Sequence, residues 1–183
     1  MKIYDNIFDK RFLDEYTHRL RYIGWDSSNI ANKITWPYGE LGTHRLMGYS
    51  LFRRENEDMI HYGDNKDLSF QSIEMFYAIR GFVNKNLFLQ HIVANLQFMG
   101  MDGTNHTDVI TENVEEYSYI LMLSDDFVDA NEGGEFVNAT LSETVPYKYG
   151  RVVEIKTSDV HRGLAFTTPY KPRYSVKFVG KII

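Results

Sequence analysis

The chain contains no cysteine. Disulfides and thiolate metal sites are therefore excluded, and any metal must be held by histidine, carboxylate and water. That donor set suits a hard or borderline ion. No run of lysine or arginine occurs, and the formal net charge is a mild −5. Nucleic-acid binding through a basic patch thus has no support. No apolar run reaches the roughly 18 residues that span a bilayer. The opening Met1-Lys2-Ile3-Tyr4-Asp5 lacks the apolar stretch of a signal peptide, so a cytoplasmic protein is the expectation. Internal repeats, low-complexity segments and linkers are absent. Gly39-Glu40-Leu41-Gly42 is no phosphate loop, because no strand, glycine-rich turn and helix surround it and no Lys-Ser/Thr follows. A G-x-S-x-G nucleophile elbow is also missing.

What is present is apolar and aromatic. Hydrophobic residues make up 43% and aromatic ones 15%, with 13 Tyr and 12 Phe among 183 residues. That supply is enough for a single globular domain with a sizeable core. Phe12, Leu13, Tyr16, Leu20 and Ile23 follow helical spacing, with Asp9 as N-cap, which predicts a helix over about 9–23. A second helix is predicted over about 69–87 from the stripe Ile73, Phe76, Tyr77 and Val83. Strands are predicted over 88–99, 117–123, 135–141, 151–156, 163–168 and 173–181, separated by turn-rich stretches such as Asn131-Glu132-Gly133-Gly134. Two helices followed by seven or eight short strands suggest an α+β, mainly β domain: a jelly roll on a helical layer. On that reading residues up to about 87 are helical support and 88–183 the core, with a ligand pocket at the mouth between the sheets. The aromatic, turn-rich stretch 36–49 reads equally as a loop over a substrate or as core.

Chemistry concentrates in the second half. In His106-Thr107-Asp108 the two outer side chains share a face of a strand-like segment, because strand side chains alternate with period two. His161 follows far along the chain and would have to come from a neighbouring strand. Two histidines and one carboxylate form the facial set that binds non-haem Fe(II) and leaves positions free for a cosubstrate and O2. Beyond it, Arg173 and Ser175 stand two apart on a predicted strand, so they too share a face and suit a carboxylate. Each element also has an ordinary reading. Thr104 to Asp108 could be a polar turn, His161 a surface residue, Arg173 the partner of a surface carboxylate, and Glu132-Gly133-Gly134 a plain turn. His18, His44 and His61 are scattered, and His91 reads as a hydrogen-bonded structural residue in an apolar strand.

Taken together, these residues resemble the 2-oxoglutarate/Fe(II)-dependent oxygenases, specifically their prolyl 4-hydroxylase-like branch. Glu132-Gly133-Gly134-Glu135-Phe136 is similar to the family's E-G-G-E-x-x-F stretch. Gly150-Arg151-Val152-Val153 is similar to its strand before the distal histidine, and His161-Arg162-Gly163 to its H-R/K-V/G. The resemblance covers about residues 89–183. It implies a double-stranded β-helix (jelly roll) with N-terminal helices packed on one sheet. It implies His106, Asp108 and His161 as metal ligands, with Arg173 and Ser175 on the far carboxylate of 2-oxoglutarate. Lys171 is the competing basic residue, but Pro172 cannot donate to a ladder, which places Lys171 before the strand or at its edge. Where many members carry a tyrosine that contacts 2-oxoglutarate, this chain has Gln97, whose amide takes over part of that contact. The implied activity is hydroxylation of a C–H bond with Fe(II), O2 and 2-oxoglutarate, releasing succinate and CO2. A requirement for ascorbate stays open, as do oligomeric state and substrate: a prolyl peptide, an amino acid or another small molecule. The alternative is a cupin-like metal protein, an isomerase or small-molecule binding module that does not use 2-oxoglutarate. Such a protein needs neither Arg173 nor Ser175.

Overall fold

The computed structural model describes residues 1–27, 46–56, 58–111, 114–124 and 132–183. Its elements run β1 (Lys2–Tyr4), α1 (Lys10–Leu20), β2 (Met47–Arg54), β3 (Ile60–Tyr62), α2 (Lys66–Val83), β4 (Leu87–Gln97), β5 (Glu116–Met122), β6 (Phe136–Asn138), β7 (Glu143–Val145), β8 (Val152–Lys156), β9 (His161–Gly163) and β10 (Arg173–Ile182). Among the described residues the fold is mainly β, with antiparallel sheets and two helices. A seven-stranded sheet has the order β1-β8-β5-β10-β4-β2-β3, and a three-stranded sheet the order β7-β6-β9.

The first helix forms as expected around its cap. The Asp9 carboxylate accepts from the Arg11 and Phe12 amides, two donors with no partner inside the helix. Its buried stripe is Leu13, Tyr16 and Leu20, and it closes at Arg21 rather than at residue 23. The second helix starts earlier than its apolar pattern suggested, because Asn65 caps it through the Leu68 amide. It ends at Asn84 in the left-handed conformation, and Leu87 already belongs to β4. Its buried stripe is rotated to Leu68, Ser72, Met75, Phe76 and Ile79, leaving Tyr77 half exposed.

Period-two alternation gives the large sheet two different faces. Tyr174, Val176 and Phe178 of β10, Ile92, Ala94 and Leu96 of β4, and Tyr119 and Leu121 of β5 join both helices in the main core. A hydrogen bond of 2.7 Å between Tyr16 and Ser72 ties the helices within it. The opposite face carries Ile120, Met122, Val153 and Ile155, which pack on Phe136 and Val145 of the small sheet in a second core. Past that second core the sheets part, leaving a cavity of about 740 Å³ between them.

Several expectations change. The part before residue 88, expected as helical support, also supplies β1, β2 and β3 to the large sheet. The strand expected over 163–168 sits earlier, at His161–Gly163; beyond it only Phe166 bridges, to Gly133. Of the aromatic stretch 36–49, residues 47–49 lie in β2, while 36–45 fall outside the described residues. Among the described residues no helix is long and apolar enough to cross a membrane.

Candidate active site

The H-x-D segment is held beside β9 rather than in a regular strand. His106 and His161 exchange both backbone hydrogen bonds, at 3.0 and 2.9 Å, and the Asp108 amide donates to the Thr157 carbonyl at 2.8 Å. This pairing sets the two histidines side by side, with ring centroids 4.4 Å apart. Potential ligand atoms of His106, Asp108 and His161 all lie within 4.8 Å of one another. His161 Nε2 is 3.2 Å and His106 Nε2 3.7 Å from the Asp108 carboxylate.

Both rings are oriented from behind. Nδ1 of His106 is 2.8 Å from the Thr104 carbonyl, and Nδ1 of His161 is 2.8 Å from the Asp159 carbonyl. A carbonyl only accepts, so each Nδ1 carries the hydrogen and each Nε2 is the ring atom turned towards the carboxylate, free to serve as a metal ligand. Burial, then the neighbouring His161, pushes His106 down to about 3, so it is neutral at physiological pH. Burial opposes charge on Asp108. Lys177, ahead of both histidines, nevertheless holds its carboxyl well below the usual carboxylate range. The Lys177 ammonium donates to Oδ1 and the Ser118 hydroxyl to Oδ2. Two imidazole nitrogens and one ionised carboxylate facing a common point are the donor set of a divalent cation without thiolate ligands.

Arg173 lies in the same cavity. It is 2% exposed and reaches inward from the start of β10. Its Nε donates to the Gly134 carbonyl at 3.0 Å, and one terminal nitrogen donates to Gln97 Oε1 at 2.7 Å and contacts the Ser175 hydroxyl at 3.4 Å. The other terminal nitrogen is buried without a hydrogen-bond partner among the described residues. Burial lowers the guanidinium to about 10, which still leaves it charged at neutral pH. A buried charge with an unused donor is costly unless a ligand completes it. Two glycines stand close by, one against Phe166 and one against the guanidinium itself. Gly134, at φ +81°, would put a Cβ 2.3 Å from the Phe166 ring, and a Cβ on Gly163 would come within 3.2 Å of the guanidinium.

Lys171 turns elsewhere. Its ammonium pairs with Glu132 at 2.7 and 2.9 Å and does not line the cavity. Gln97 needs a different account from the sequence expectation. Its amide nitrogen donates to the Met101 and Gly163 carbonyls at 2.8 and 3.1 Å, while its oxygen accepts from Arg173. Both amide hydrogens are thus engaged, so Gln97 orients Arg173 instead of presenting a free donor. His91, read from sequence as a hydrogen-bonded structural residue, stands on the cavity face of β4, where burial and then Lys177 lower it to about 4.

No family model matches the sequence, and no curated protein matches it significantly. Solved structures do match the fold. A member of the 2OG-Fe(II) oxygenase family from Burkholderia pseudomallei superposes with a TM-score of 0.70 at 14% identity, covering 96% of this chain and 81% of that one. A prolyl-4-hydroxylase from Pseudomonas putida gives 0.64 at 11% identity, over 100% and 92%. HygX from Streptomyces hygroscopicus, solved with nickel and 2-oxoglutarate bound, gives 0.63 at 11%, over 98% and 82%. The chain has the fold of the 2OG-Fe(II) oxygenases.

Within that fold, two hydrogen-bond partners of Asp108 escaped the sequence reading. Lys177 belongs to the same period-two row as Arg173 and Ser175, so its inward direction was available from the spacing. Only the distant Asp108, however, gives that direction a partner. Ser118 carried no comparable signal, because a lone serine in an apolar strand is unremarkable until the chain brings Asp108 beside it.

Proposed function

We propose that this chain is a 2-oxoglutarate- and O2-dependent hydroxylase of the Fe(II) class, built as a double-stranded β-helix with its helices packed on the large sheet. The observation that carries this reading is the coexistence, in one cavity, of the His106/His161 pair facing ionised Asp108 and a buried Arg173 whose second terminal nitrogen has no hydrogen-bond partner among the described residues. His106, Asp108 and His161 would hold the metal. Arg173 and Ser175 would take the far carboxylate of 2-oxoglutarate, with Gln97 and the Gly134 carbonyl holding the guanidinium in place. The nickel- and 2-oxoglutarate-bound structure of similar fold supports this assignment. When bound, iron with 2-oxoglutarate and O2 would supply the oxidising power for a C–H bond, with succinate and CO2 as coproducts.

The protein's own contribution is geometric and electrostatic. The Thr104 and Asp159 carbonyls set the imidazole tautomers. Ser118 and Lys177 fix the carboxylate rotamer and keep it ionised. Arg173 offers a planar fork in a dry environment, where a carboxylate must otherwise give up its hydration. Phe136, stacked 5.4 Å from the His161 ring, and Ile120 keep water from the metal side. The cupin-like alternative accounts for the three metal ligands but leaves a desolvated arginine without purpose.

The test is direct. The protein with Fe(II), 2-oxoglutarate and ascorbate is expected to form succinate slowly without a prime substrate, and faster with the right member of a panel of prolyl peptides, amino acids and small molecules. Failure of the Mn(II)-loaded protein to bind 2-oxoglutarate at all would turn the reading to the cupin-like alternative.

A further inference from the structure

The cavity extends beyond the two regions just described, and its far end is cationic. On the cavity face of the large sheet, Arg173, Ser175 and Lys177 form a row along β10. Val179, next in that row, pairs with His91 of β4, and His91 pairs with Arg53 of β2. Lys177, His91 and Arg53 therefore step diagonally across three adjacent strands, away from Arg173 and past the histidine-carboxylate cluster, and all three line the cavity. Gln90 and Asn95 add neutral polar groups to the lining, and among the described residues Glu55 is the acidic group of the lining at this end. Glu55 does not neutralise the row. It stands 3.9 Å from Arg53, a loose contact, and divides itself with His61 at 3.7 Å.

Lys177 sharpens the argument. Its side chain is 19% exposed, and its anionic contact is Asp108. On the reading proposed above, Asp108 gives its charge to the metal and Arg173 gives its charge to the 2-oxoglutarate carboxylate. The Lys177 ammonium then stands half-desolvated at the cavity wall without a full countercharge, with Arg53 farther along the same wall. A buried cation in that position is stabilised by an anion that enters with the substrate. His91 between them is held neutral by burial and by Lys177, so it adds a hydrogen-bonding edge rather than a competing charge.

We infer that Lys177, His91 and Arg53 form a recognition subsite for an anionic group of the prime substrate, so that the substrate is a small acid, such as a free amino acid or another carboxylate, rather than an internal residue of a neutral peptide. This inference rests on the hydroxylase reading, from which its test is separable. A phosphate ester shares the anionic chemistry and forms a second arm of the experiment.

The experiment uses the full chain loaded with Mn(II) and saturated with 2-oxoglutarate, so that the Arg173 site is filled and no turnover occurs. Calorimetric titration compares matched pairs: L-proline with L-prolinamide, L-leucine with L-leucinamide, and, for the phosphate arm, O-phospho-L-serinamide with L-serinamide. At least one acid is expected to bind about tenfold or more tightly than its amide, since a charge-assisted contact is stronger than a neutral hydrogen bond. Lys177→Met and Arg53→Ala should each erase most of that preference, and Lys177→Arg should keep it. A preference confined to the phosphate arm keeps the anionic subsite and makes the substrate a phosphate ester. Equal binding of every acid and amide, or a preference that survives Lys177→Met and Arg53→Ala, overturns the inference. Loss of 2-oxoglutarate binding in the unmodified protein is a different result, because it removes the hydroxylase reading itself.

Discussion

At the scale of single residues the decisive distinction is between Arg173 and Lys171. Both follow His161 closely, but only Arg173 enters the strand that faces the cavity, while Lys171 is spent on Glu132. Arg173→Ala is expected to weaken 2-oxoglutarate binding by on the order of 30-fold or more, because removing one partner of a buried charged pair costs about 2–5 kcal/mol. Lysine at the position should rescue only partly, since it lacks the planar fork. Ser175→Ala should cost on the order of 1 kcal/mol, as for a neutral hydrogen bond. Lys171→Ala should leave the affinity nearly unchanged. Titrating 2-oxoglutarate into the four Mn(II)-loaded variants checks the series, and a crippled Lys171→Ala variant beside a normal Arg173→Ala variant would reverse the assignment. Gln97→Ala belongs to the same set. It should weaken 2-oxoglutarate less than Arg173→Ala, because it loosens the guanidinium without removing its charge.

At the scale of elements, close approach of backbone segments matters as much as the side chains. Gly133 and Gly134 both adopt φ near +81°, and Gly134 lies directly against the Phe166 ring while its carbonyl anchors Arg173. Gly134→Ala should therefore destabilise the fold by about 1–3 kcal/mol, since it adds a left-handed penalty to a steric clash. Chemical denaturation measures the loss, and 2-oxoglutarate affinity should fall in parallel as Gly134 shifts. The strands that escaped expectation are instructive in the same way. β1, β3 and β7 have three residues each, too few for an alternation pattern to stand out. β2 carries a register shift between Ser50 and Phe52, which breaks the period-two signal. Helix α2 was misjudged at its start because Asn65, a polar cap outside the apolar stripe, determines where it begins.

For the whole molecule, the two sheets must stay in register for His106, Asp108 and His161 to meet. A divalent ion that binds only the folded chain should stabilise it by mass action. Mn(II) is expected to raise the thermal midpoint of the wild type, chelation to reverse the rise, and His161→Ala to abolish it while leaving the protein folded. A dependence on pH follows from the edge of the large sheet. Hydrogen bonds from Arg151, with Lys148 adding to them, lower Asp5 to about 2. Its folded value lies below the ordinary aspartate value of about 3.9, so the ionised form is favoured by folding. The contribution is complete above about pH 4 and is lost as pH falls towards about 2. Asp5→Asn should accordingly lower stability at pH 6 by no more than about 1 kcal/mol, given solvent screening. The difference from wild type should shrink to nothing at pH 2, as followed by denaturant unfolding across that range.

From sequence alone, local spacing determined a good deal: the Asp9-capped helix, the long alternating strands β4, β5 and β10, and the pairs His106/Asp108 and Arg173/Ser175, each on a common face. These follow from the 3.6- and 2-residue periods of the backbone, which act over a few neighbours. Tertiary structure alone decided what each of those faces meets. The bridge between His106 and His161, the turning of Lys177 and Ser118 onto Asp108, the use of Gln97 to hold Arg173, and the diversion of Lys171 to Glu132 all join residues far apart in the chain. A spacing rule records which way a side chain points. Which partner stands opposite depends on strand order and register, and those are settled only when both cores close.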